Sequence, residues 1–268
     1  MPELPEVVTV CKTLELNILN LEIKTVKLET IKALRNQSVD YLNNLNNQKI
    51  IALKSKGKNL IIQTNDYWLV LHLRMEGKFF FIPKVNDEFN KHNILTINFL
   101  DNKLLFNDHR KFATIDIFGS SADLNKFLEK VGPEPWDVNI DSLYNQIKDK
   151  RTSIKQTLLD QKYMSGLGNI YVDEVLYASK IMPTRKTNSI TYDQLVDIVR
   201  HSRIILWQSI LVGGSTISTF QSQHGVDGKF QNQLKVHSRK GAKCPNGEKV
   251  QKIVVGGRGT YYCPGVQN

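Results

Sequence analysis

The sequence has few cysteines, no long apolar run and a deficit of acidic residues, and each shortage excludes a class of protein. Its three cysteines, Cys11, Cys244 and Cys263, are a small and odd number in 268 residues, so a disulfide framework is not expected. No run of about 18 apolar residues occurs, which excludes a transmembrane helix. Glu3 and Glu6 stand where a signal peptide needs a basic flank and an apolar stretch. We therefore expect a cytoplasmic protein.

Basic residues, by contrast, are in excess. Lysine and arginine number 36 against 26 for aspartate and glutamate, a formal net charge of +10. An excess of this size suggests a polyanionic partner such as nucleic acid, and the alternative is a basic enzyme that acts on small metabolites. Three basic stretches also contain glycine, which lets the backbone approach a phosphate closely: residues 54–58, 237–243 and 256–259. The alternative for each stretch taken alone is a solvated turn.

In the first half of the chain the apolar pattern is that of strands. From residue 21 to about 118, seven short apolar or alternating runs are separated by Asn, Asp, Gly and Lys, which indicates a β-sandwich or barrel. Pro5 and Glu6 suit the first turn of a helix, and another helix is predicted near residues 123–131. The stretch 132–137 contains two prolines and a glycine, so it marks a boundary.

Beyond the boundary the apolar residues recur three and four apart, as in helices. The spacing predicts helices over 140–149, 153–161, 169–180 and 192–211, with Ser153 and Asn169 as N-caps. The turn before the third of these ends in Gly166 and Gly168, and helix N–H groups beside such glycines form a ready anion site. A long polar loop over 213–233 and a small β-hairpin from about residue 234 complete the chain.

Five short motifs, in this order, resemble the formamidopyrimidine-DNA glycosylase family. They are "PELPE" at 2–6, "HLRMEGK" at 72–78, "DHRKFAT" at 108–114, "GLGNIYVDE" at 166–174 and "GGRGTYYC" at 256–263. The resemblance runs from residue 2 to the last few residues. The opening "PELPE" resembles the branch that acts on oxidised purines more than the endonuclease VIII branch, which tends to begin "PEGPE".

The resemblance implies an α+β fold in four segments. An N-terminal β-sandwich with flanking helices carries the catalytic residues over 1–131, and a linker and helix occupy 132–150. A helical helix-two-turn-helix domain with the lesion loop follows over 151–233. The chain then ends in a small finger-like β-hairpin over 234–268.

The resemblance also explains the opening of the chain in chemical terms. If Met1 is removed, Pro2 presents a secondary amine, and α-amino groups titrate at roughly 7.7 to 8.0, so part of the amine is neutral and nucleophilic. Glu3 is implied as the acid and base that exchanges protons with the deoxyribose, and Glu6 as support for the same site. Lys58 would hold the phosphate at the lesion. The implied catalytic set is Pro2, Glu3, Glu6, Lys58 and Arg258.

A base inside a duplex must be turned out before such groups can reach it. In the family three side chains fill the space that the everted nucleotide leaves in the duplex. The matching positions here are Met75 as a wedge, Phe112 as a stacking surface and Arg110 as the partner of the orphaned base. The alternative for Met75 and Phe112 is a place in the core of their strands. Other implied DNA contacts are His72, Lys155, Gly168, Asn169 and Tyr171, and base recognition is implied for Glu76, Ser218 and Thr219.

The finger departs from the family pattern. Family members usually carry two C-x-x-C pairs that bind zinc, whereas Gly247 and Val266 stand here where the second cysteine of each pair belongs. A structural zinc site needs four ligands. We therefore expect no tightly bound zinc, with Cys244 and Cys263 as remnant ligands, and no cofactor for the chemistry itself. A disulfide between these two is possible in geometry but is not expected in a reducing cytosol.

Three functions compete at this stage. The first is a bifunctional glycosylase and lyase that removes oxidised purines, such as 8-oxoguanine and formamidopyrimidines, from duplex DNA. The second is a damaged-DNA binding protein that lost turnover when its finger decayed. The third is an endonuclease VIII-like glycosylase for oxidised pyrimidines. All three imply double-stranded DNA containing oxidised bases or abasic sites as the partner, no membrane, and a monomer at the nucleoid in the bacterial cytosol.

Overall fold

Strand periodicity in the first half of the chain and helical periodicity in the second produce two structural units. The computed structural model describes residues 1–85, 92–214, 220–221 and 229–268, with 220–221 as backbone only. One unit contains Met1–Lys130 and the described residues of Gly213–Gly228, and the other contains Val131–Val212 and Lys229–Asn268. The predicted α+β class is confirmed. The four predicted segments are finer than these units and stay predictions.

The first unit is built from two sheets with helices beside them. Its elements are α1 (Leu4–Ile18), β1 (Thr25–Leu28), β2 (Ile50–Lys56), β3 (Asn59–Thr64), β4 (Trp68–His72), β5 (Lys78–Pro83), β6 (Asn93–Asn98), β7 (Asn102–Asn107), β8 (Thr114–Phe118), α2 (Ser121–Leu128) and β9 (Phe220–Gln221), with 3₁₀ turns at Ile31–Ala33 and Val39–Leu45. One sheet has the order β1-β6-β7-β5-β9 and the other β2-β3-β4-β8. Neighbouring strands are antiparallel except β5 and β9.

The four-stranded sheet is buried on both faces, which explains the continuous apolar runs of β3 and β4. Leu60 and Leu71 belong to the main core, together with residues of the five-stranded sheet and α1. Ile61 and Val70 face the other way, into a smaller cluster with Leu124 of α2. Successive side chains of a strand point to alternate faces of the sheet. Since both faces of this sheet are buried, both sets of side chains are apolar.

Strand β8 is missing from the seven runs read from the sequence. Its central residue, Asp116, resembles a turn residue, yet it is 4% exposed and paired with Arg35. A buried carboxylate is tolerated in a strand when a cation neutralises it. The pairing therefore accounts for a strand that the alternation of apolar residues does not reveal.

The second unit is mainly helical, as its periodicity predicts. Its elements are a 3₁₀ turn at Pro135–Asp137, α3 (Ile140–Ile147), α4 (Ile154–Leu159), α5 (Asn169–Ala178), a 3₁₀ turn at Thr187–Ser189, α6 (Tyr192–Leu211), a 3₁₀ turn at Phe230–Gln233, β10 (Gln251–Val255) and β11 (Arg258–Tyr262). Ser153 is confirmed as an N-cap, in a capping box with Gln156. Within the described residues, no helix has the length and apolar content to cross a bilayer.

The predicted N-cap at Asn169 is wrong. Gly168, in an extended conformation, is the N-cap of α5, and Asn169 is the first helical residue. The cap therefore lacks a side-chain acceptor, and the Asn169 side chain is used elsewhere, in a hydrogen bond from Nδ2 to the carbonyl oxygen of Gly259 at 2.9 Å.

The C-terminal hairpin forms, as expected, around a tight turn. Val255 pairs with Arg258 across the turn, and Gly256 and Gly257 both have positive φ, the backbone conformation that favours glycine. A small apolar cluster lies beneath it, formed by Val236, Cys244, Val250 and Cys263.

The expectation that Cys244 and Cys263 stay unpaired is wrong in this structure. The two form a disulfide with a Cα–Cα distance of 6.0 Å across a sequence separation of 19. The hairpin brings the two cysteines together in a cluster from which water is excluded. Cys11 is the third cysteine; it is buried and free, and burial raises the pKa of its thiol to about 12.

Breaking this disulfide should loosen the finger. For a closed loop of this size the chain-entropy model gives a stabilisation of about 3 kcal/mol, so we expect the Cys244→Ala/Cys263→Ala variant to unfold at lower denaturant concentration and its β10 and β11 amides to exchange faster. Reductant should do the same to the unmodified protein and nothing to the variant, because Cys11 is buried. Equal stability with and without reductant would show that the disulfide does not support the hairpin.

Candidate functional site

Most of the predicted site residues in the first unit lie at one end of the four-stranded sheet. His72, the last residue of β4, pairs with Asn59 at the start of β3 and with Thr114 at the start of β8. Since the strands are antiparallel, the turn before β3, the loop after β4 and the loop before β8 all leave the sheet at this end. These three connections carry Lys58, Met75, Glu76, Arg110 and Phe112.

The predicted gap-filling residues are on the surface and not in the core. Met75 is 43% exposed and Phe112 53% exposed, at loop tips. Arg110 is also exposed, and its guanidinium carbon lies 4.9 Å from the centre of the Phe112 ring. Exposed apolar side chains beside a cation can stack on nucleic acid bases. The alternative of core burial is therefore excluded for both apolar residues.

Asp108 organises the loop that carries Arg110 and Phe112. The carboxylate is fully buried and accepts three backbone N–H bonds, from Arg110 at 3.0 Å and from Phe112 and Ala113 at 2.8 Å each. Lys111 between them has a φ of 54°, a left-handed conformation that is unfavourable for lysine. Sequence reasoning passed over Asp108; the signal was an Asp at the head of a turn, whose side chain bonds to the backbone that follows.

His72 is a neutral histidine. Its Nδ1 accepts a hydrogen bond from the backbone N–H of Arg74 at 3.0 Å, which leaves the proton on Nε2. Burial lowers the pKa of His72 to about 3, and three nearby cations add to the effect, namely Arg74, Lys58 and Arg35. A contact with a phosphate from this side chain would therefore use a neutral N–H donor.

The first residues form a compact acidic cluster around the start of α1. Pro2, Glu3 and Glu6 are all buried. Glu3 and Glu6 make a reciprocal capping box, in which Glu6 Oε2 accepts the backbone N–H of Glu3 at 2.9 Å. The Glu6 carboxylate also lies against Gly214, where an added Cβ would come within 2.9 Å of its Oε1. Two carboxylates are thereby fixed at the helix start that follows Pro2 in the chain.

Lys58 is 5% exposed, so its side chain is buried. It follows Gly57, whose positive φ makes the tight turn between β2 and β3. The alternative of a solvated surface lysine is excluded. Glu76, in contrast, is exposed. Ser218 and Thr219, predicted to recognise the base, lie outside the described residues.

Two residues predicted to contact DNA from the second unit are in its interior instead. Lys155 is fully buried, with Nζ 2.7 Å from Asp173 Oδ1. Tyr171 is also fully buried, with its hydroxyl 2.6 Å from Ser209 Oγ. Both residues lie on the buried faces of short helices. Their long side chains point inward, and their polar ends bond to Asp173 and Ser209.

Arg258 is exposed at the start of β11, beside the glycine turn. The neighbouring Gly256 lies against the Gln156 side chain, which an added Cβ would meet at 2.7 Å. Arg258 is thus the surface cation of a hairpin tip packed on α4. At the start of α5, Asn169 Oδ1 is buried and has no hydrogen-bond partner in the part of the chain that the structure describes.

The residues of the finger do not fit a zinc ion. Cys244 and Cys263 are joined to each other, and Gly247 and Val266 offer no ligand atoms in their side chains. Within the described ranges no group of three or more His, Cys, Asp or Glu side chains is placed to hold a metal. Zinc needs four such ligands.

Family models match most of the chain. The model of the formamidopyrimidine-DNA glycosylase N-terminal domain matches residues 1–115, and that of the formamidopyrimidine-DNA glycosylase H2TH domain matches residues 131–221. The formamidopyrimidine-DNA glycosylase of Mycoplasmopsis pulmonis is 39% identical, over 100% of this chain and 98% of that protein. The corresponding protein of Bacillus cereus is 38% identical, over 98% of each.

Solved structures give the same result. A mutant Lactococcus lactis FPG in complex with Fapy-dG-containing DNA has a TM-score of 0.92 with this chain at 36% identity, covering 99% of both chains. The Lactococcus lactis Fpg in complex with DNA containing an abasic site has a TM-score of 0.91, also at 36% identity and 99% coverage of both.

The role of Asp108 can be tested by removing its charge. An Asp108→Asn side chain is neutral and keeps one acceptor oxygen, so all three N–H groups lose a charged acceptor and at least one of them loses its acceptor altogether. We expect a loss of about 2 kcal/mol in the free energy of unfolding and faster hydrogen exchange at the Arg110, Phe112 and Ala113 amides. The exposed Asp101→Asn is the control, with a change within about 0.5 kcal/mol. Equal effects of the two substitutions would contradict the role.

Proposed function

Because the chain belongs to the formamidopyrimidine-DNA glycosylase family, we propose that it is a bifunctional glycosylase and lyase that removes oxidised purines, such as 8-oxoguanine and formamidopyrimidines, from duplex DNA in base excision repair. The observation that carries the proposal is the cluster of Pro2, Glu3 and Glu6 at the start of α1. Complexes of the Lactococcus lactis relative with Fapy-dG-containing and abasic DNA support the substrate class.

The proposed nucleophile is the nitrogen of Pro2 after removal of Met1. The amine attacks C1′ of the damaged nucleotide, a nitrogen–carbon bond forms, and the bond from C1′ to the base breaks as the base leaves with a proton. The nitrogen gives up its proton, the bond from C1′ to O4′ then breaks as O4′ takes a proton, and the nitrogen lone pair forms a second bond to C1′. The product is an iminium ion, which is cationic without added protonation because the amine is secondary. This charge acidifies the C2′ hydrogens. Loss of a C2′ proton expels the 3′ phosphate, and a second elimination expels the 5′ phosphate.

Glu3 is the proposed carrier of these protons. Glu6 Oε2 accepts the Glu3 N–H, and the Glu6 carboxylate lies against Gly214, while the Glu3 carboxylate accepts the Glu6 N–H in the same capping box. Glu6 therefore suits a supporting role, in which it holds the helix start and the neighbouring loop.

The proposed DNA contacts follow from exposure and charge. Met75, Arg110 and Phe112 project from the sheet end and enter the gap left by the everted nucleotide. Phosphates are held by His72, Lys58, Gly168, Asn169 and Arg258. Base recognition is proposed for Glu76, Ser218 and Thr219. The excess positive charge brings the protein to DNA at the bacterial nucleoid in the cytosol.

One observation favours a second candidate function. The finger lacks the ligands of its metal, and a less firmly held Arg258 would leave a protein that binds damaged DNA with weakened turnover. An endonuclease VIII-like preference for oxidised pyrimidines is the third candidate, and it differs in substrate alone.

Borohydride trapping separates these candidates. The protein is incubated with a labelled duplex carrying 8-oxoguanine opposite cytosine, reduced, and examined for a covalent complex and for strand cleavage. We expect both, with a weaker covalent band for Pro2→Ala, which offers a primary amine. Glu15→Gln, a change elsewhere on α1, is the matched control and should trap like the unmodified protein.

Absence of a band and of cleavage, with tight binding to the same duplex and mass spectrometry showing that Met1 has been removed, would leave the binding protein as the function. Trapping on a duplex carrying an oxidised pyrimidine and not on the 8-oxoguanine duplex would support the endonuclease VIII-like candidate.

A further inference from the structure

A buried carboxylate in α5 holds the strand that carries Arg258. Asp173 is fully buried, and both of its oxygens are in use. Oδ1 lies 2.7 Å from Lys155 Nζ, and Oδ2 lies 2.8 Å from His237 Nδ1 and accepts the backbone N–H of Tyr261 at 3.1 Å. The carboxylate thus joins α4, α5, the entry to the hairpin and β11.

A second set of bonds fixes the residue next to Arg258. The carbonyl oxygen of Gly259 accepts from Asn169 Nδ2 at 2.9 Å and from Lys155 Nζ at 3.4 Å. Lys155 is held in turn by Asp173. The backbone of β11 is therefore fixed at residue 259 and again at residue 261, immediately after the arginine.

The adjacent acid, Glu174, holds the chain where it enters the hairpin module. Its side chain accepts three backbone N–H bonds, at 2.8 Å from Lys235, 2.9 Å from Val236 and 2.8 Å from His237. Two successive acids of one helix thus secure the module at both of its ends.

The charged pair in this network is a costly means of stabilisation. Removing an ammonium and a carboxylate from water costs several kcal/mol per ion, and apolar residues of similar volume often stabilise a fold as well or better. The ion pair instead contributes to the orientation of β11, because hydrogen bonds depend on geometry and so fix the angle and register of the strand that they hold. The disulfide lies at the end of the strands away from Arg258, so it does not by itself set this orientation.

We propose that Asp173 is a positioning residue that sets where Arg258 is presented to DNA, in a finger whose residues do not fit a metal. The inference rests on the proposed function in one respect, namely that Arg258 contacts DNA phosphates. It concerns binding alone and does not depend on the chemistry of Pro2.

A double-mutant cycle tests the proposal. Affinity for a duplex carrying a tetrahydrofuran abasic-site analogue is measured over a range of salt concentrations for the unmodified protein, Arg258→Ala, Asp173→Asn and the double variant. In the unmodified background, loss of one phosphate contact should lower affinity roughly fivefold to tenfold and reduce the slope of log affinity against log salt by about 0.9. In the Asp173→Asn background the further loss on Arg258→Ala should be under threefold.

The proposal is overturned if Arg258→Ala costs threefold or more in both backgrounds, since the two residues would then act independently. It is also overturned if Arg258→Ala has no effect in the unmodified protein. A role of Asp173 in overall stability alone would leave both the salt slope and the effect of Arg258→Ala unchanged.

A second variant covers the case in which Asp173→Asn does not fold. Lys155→Met/Asp173→Leu replaces the ion pair with apolar side chains, which favours retention of the fold. It removes the bond from Lys155 to residue 259 and the bond from residue 261 to Asp173, and it leaves the bond from Asn169 to residue 259 in place. The same cycle and the same threshold then apply. Asp197→Asn, a change of one exposed carboxylate on α6, controls for the added positive charge and should keep the full effect of Arg258→Ala.

Failure of this cycle and failure of the proposed function give different results. Trapping that succeeds while the cycle shows no coupling leaves the enzyme intact and removes Asp173 from the positioning of Arg258. Coupling without trapping leaves the positioning intact in a protein that only binds.

Discussion

The antiparallel register of the four-stranded sheet is the constraint on which the site of the first unit depends. Because His72 stands opposite both Asn59 and Thr114, three connections leave the sheet at the same end. A slip of one residue in β4 would exchange the side chains facing the main core with those facing α2, and both faces are closely packed. The loops that carry Lys58, Met75 and Phe112 are thus brought together by core packing and need no contacts among themselves.

In the second unit the constraint is the orientation of the hairpin, whose residues do not fit the zinc ion that is usual in the family. The disulfide closes the base of the finger at Cys244 and Cys263, whereas Arg258 lies at the opposite end of the strands, beside the turn. A covalent link at one end does not determine the tilt of the other. Hydrogen bonds from side chains of α4 and α5 hold β11 near the turn. The orientation of the hairpin and the closure of its base therefore depend on different interactions.

The local pattern of apolar residues predicted most helices and strands. It failed where a residue distant in the chain determines whether a strand forms or a side chain is buried. The bounds of α6 follow from periodicity alone, whereas β8 depends on a cation, Arg35, that lies far from Asp116 in the chain. Lys155 and Tyr171 look like surface residues of short helices until Asp173 and Ser209 are seen to receive their polar ends. The disulfide likewise depends on a hairpin that brings together two cysteines far apart in sequence. The exposure of Met75 and Phe112 was expected from the family resemblance alone, because apolar residue types in a strand-rich segment otherwise favour the core.

The loop before β8 shows how the free protein is prepared for the proposed step of base eversion. In the structure Arg110 covers the Phe112 ring, an interaction worth about 0.5–1 kcal/mol at an exposed site. A base stacked on an aromatic ring is worth about 1–3 kcal/mol, so exchanging one for the other would be favourable. The exchange would also free the guanidinium for the contact with the orphaned base that we propose. The backbone need not change, because Asp108 already holds it, including the left-handed Lys111. The entropy cost of ordering the loop backbone is therefore incurred on folding. The proposed stacking then requires only that the Arg110 and Phe112 side chains separate.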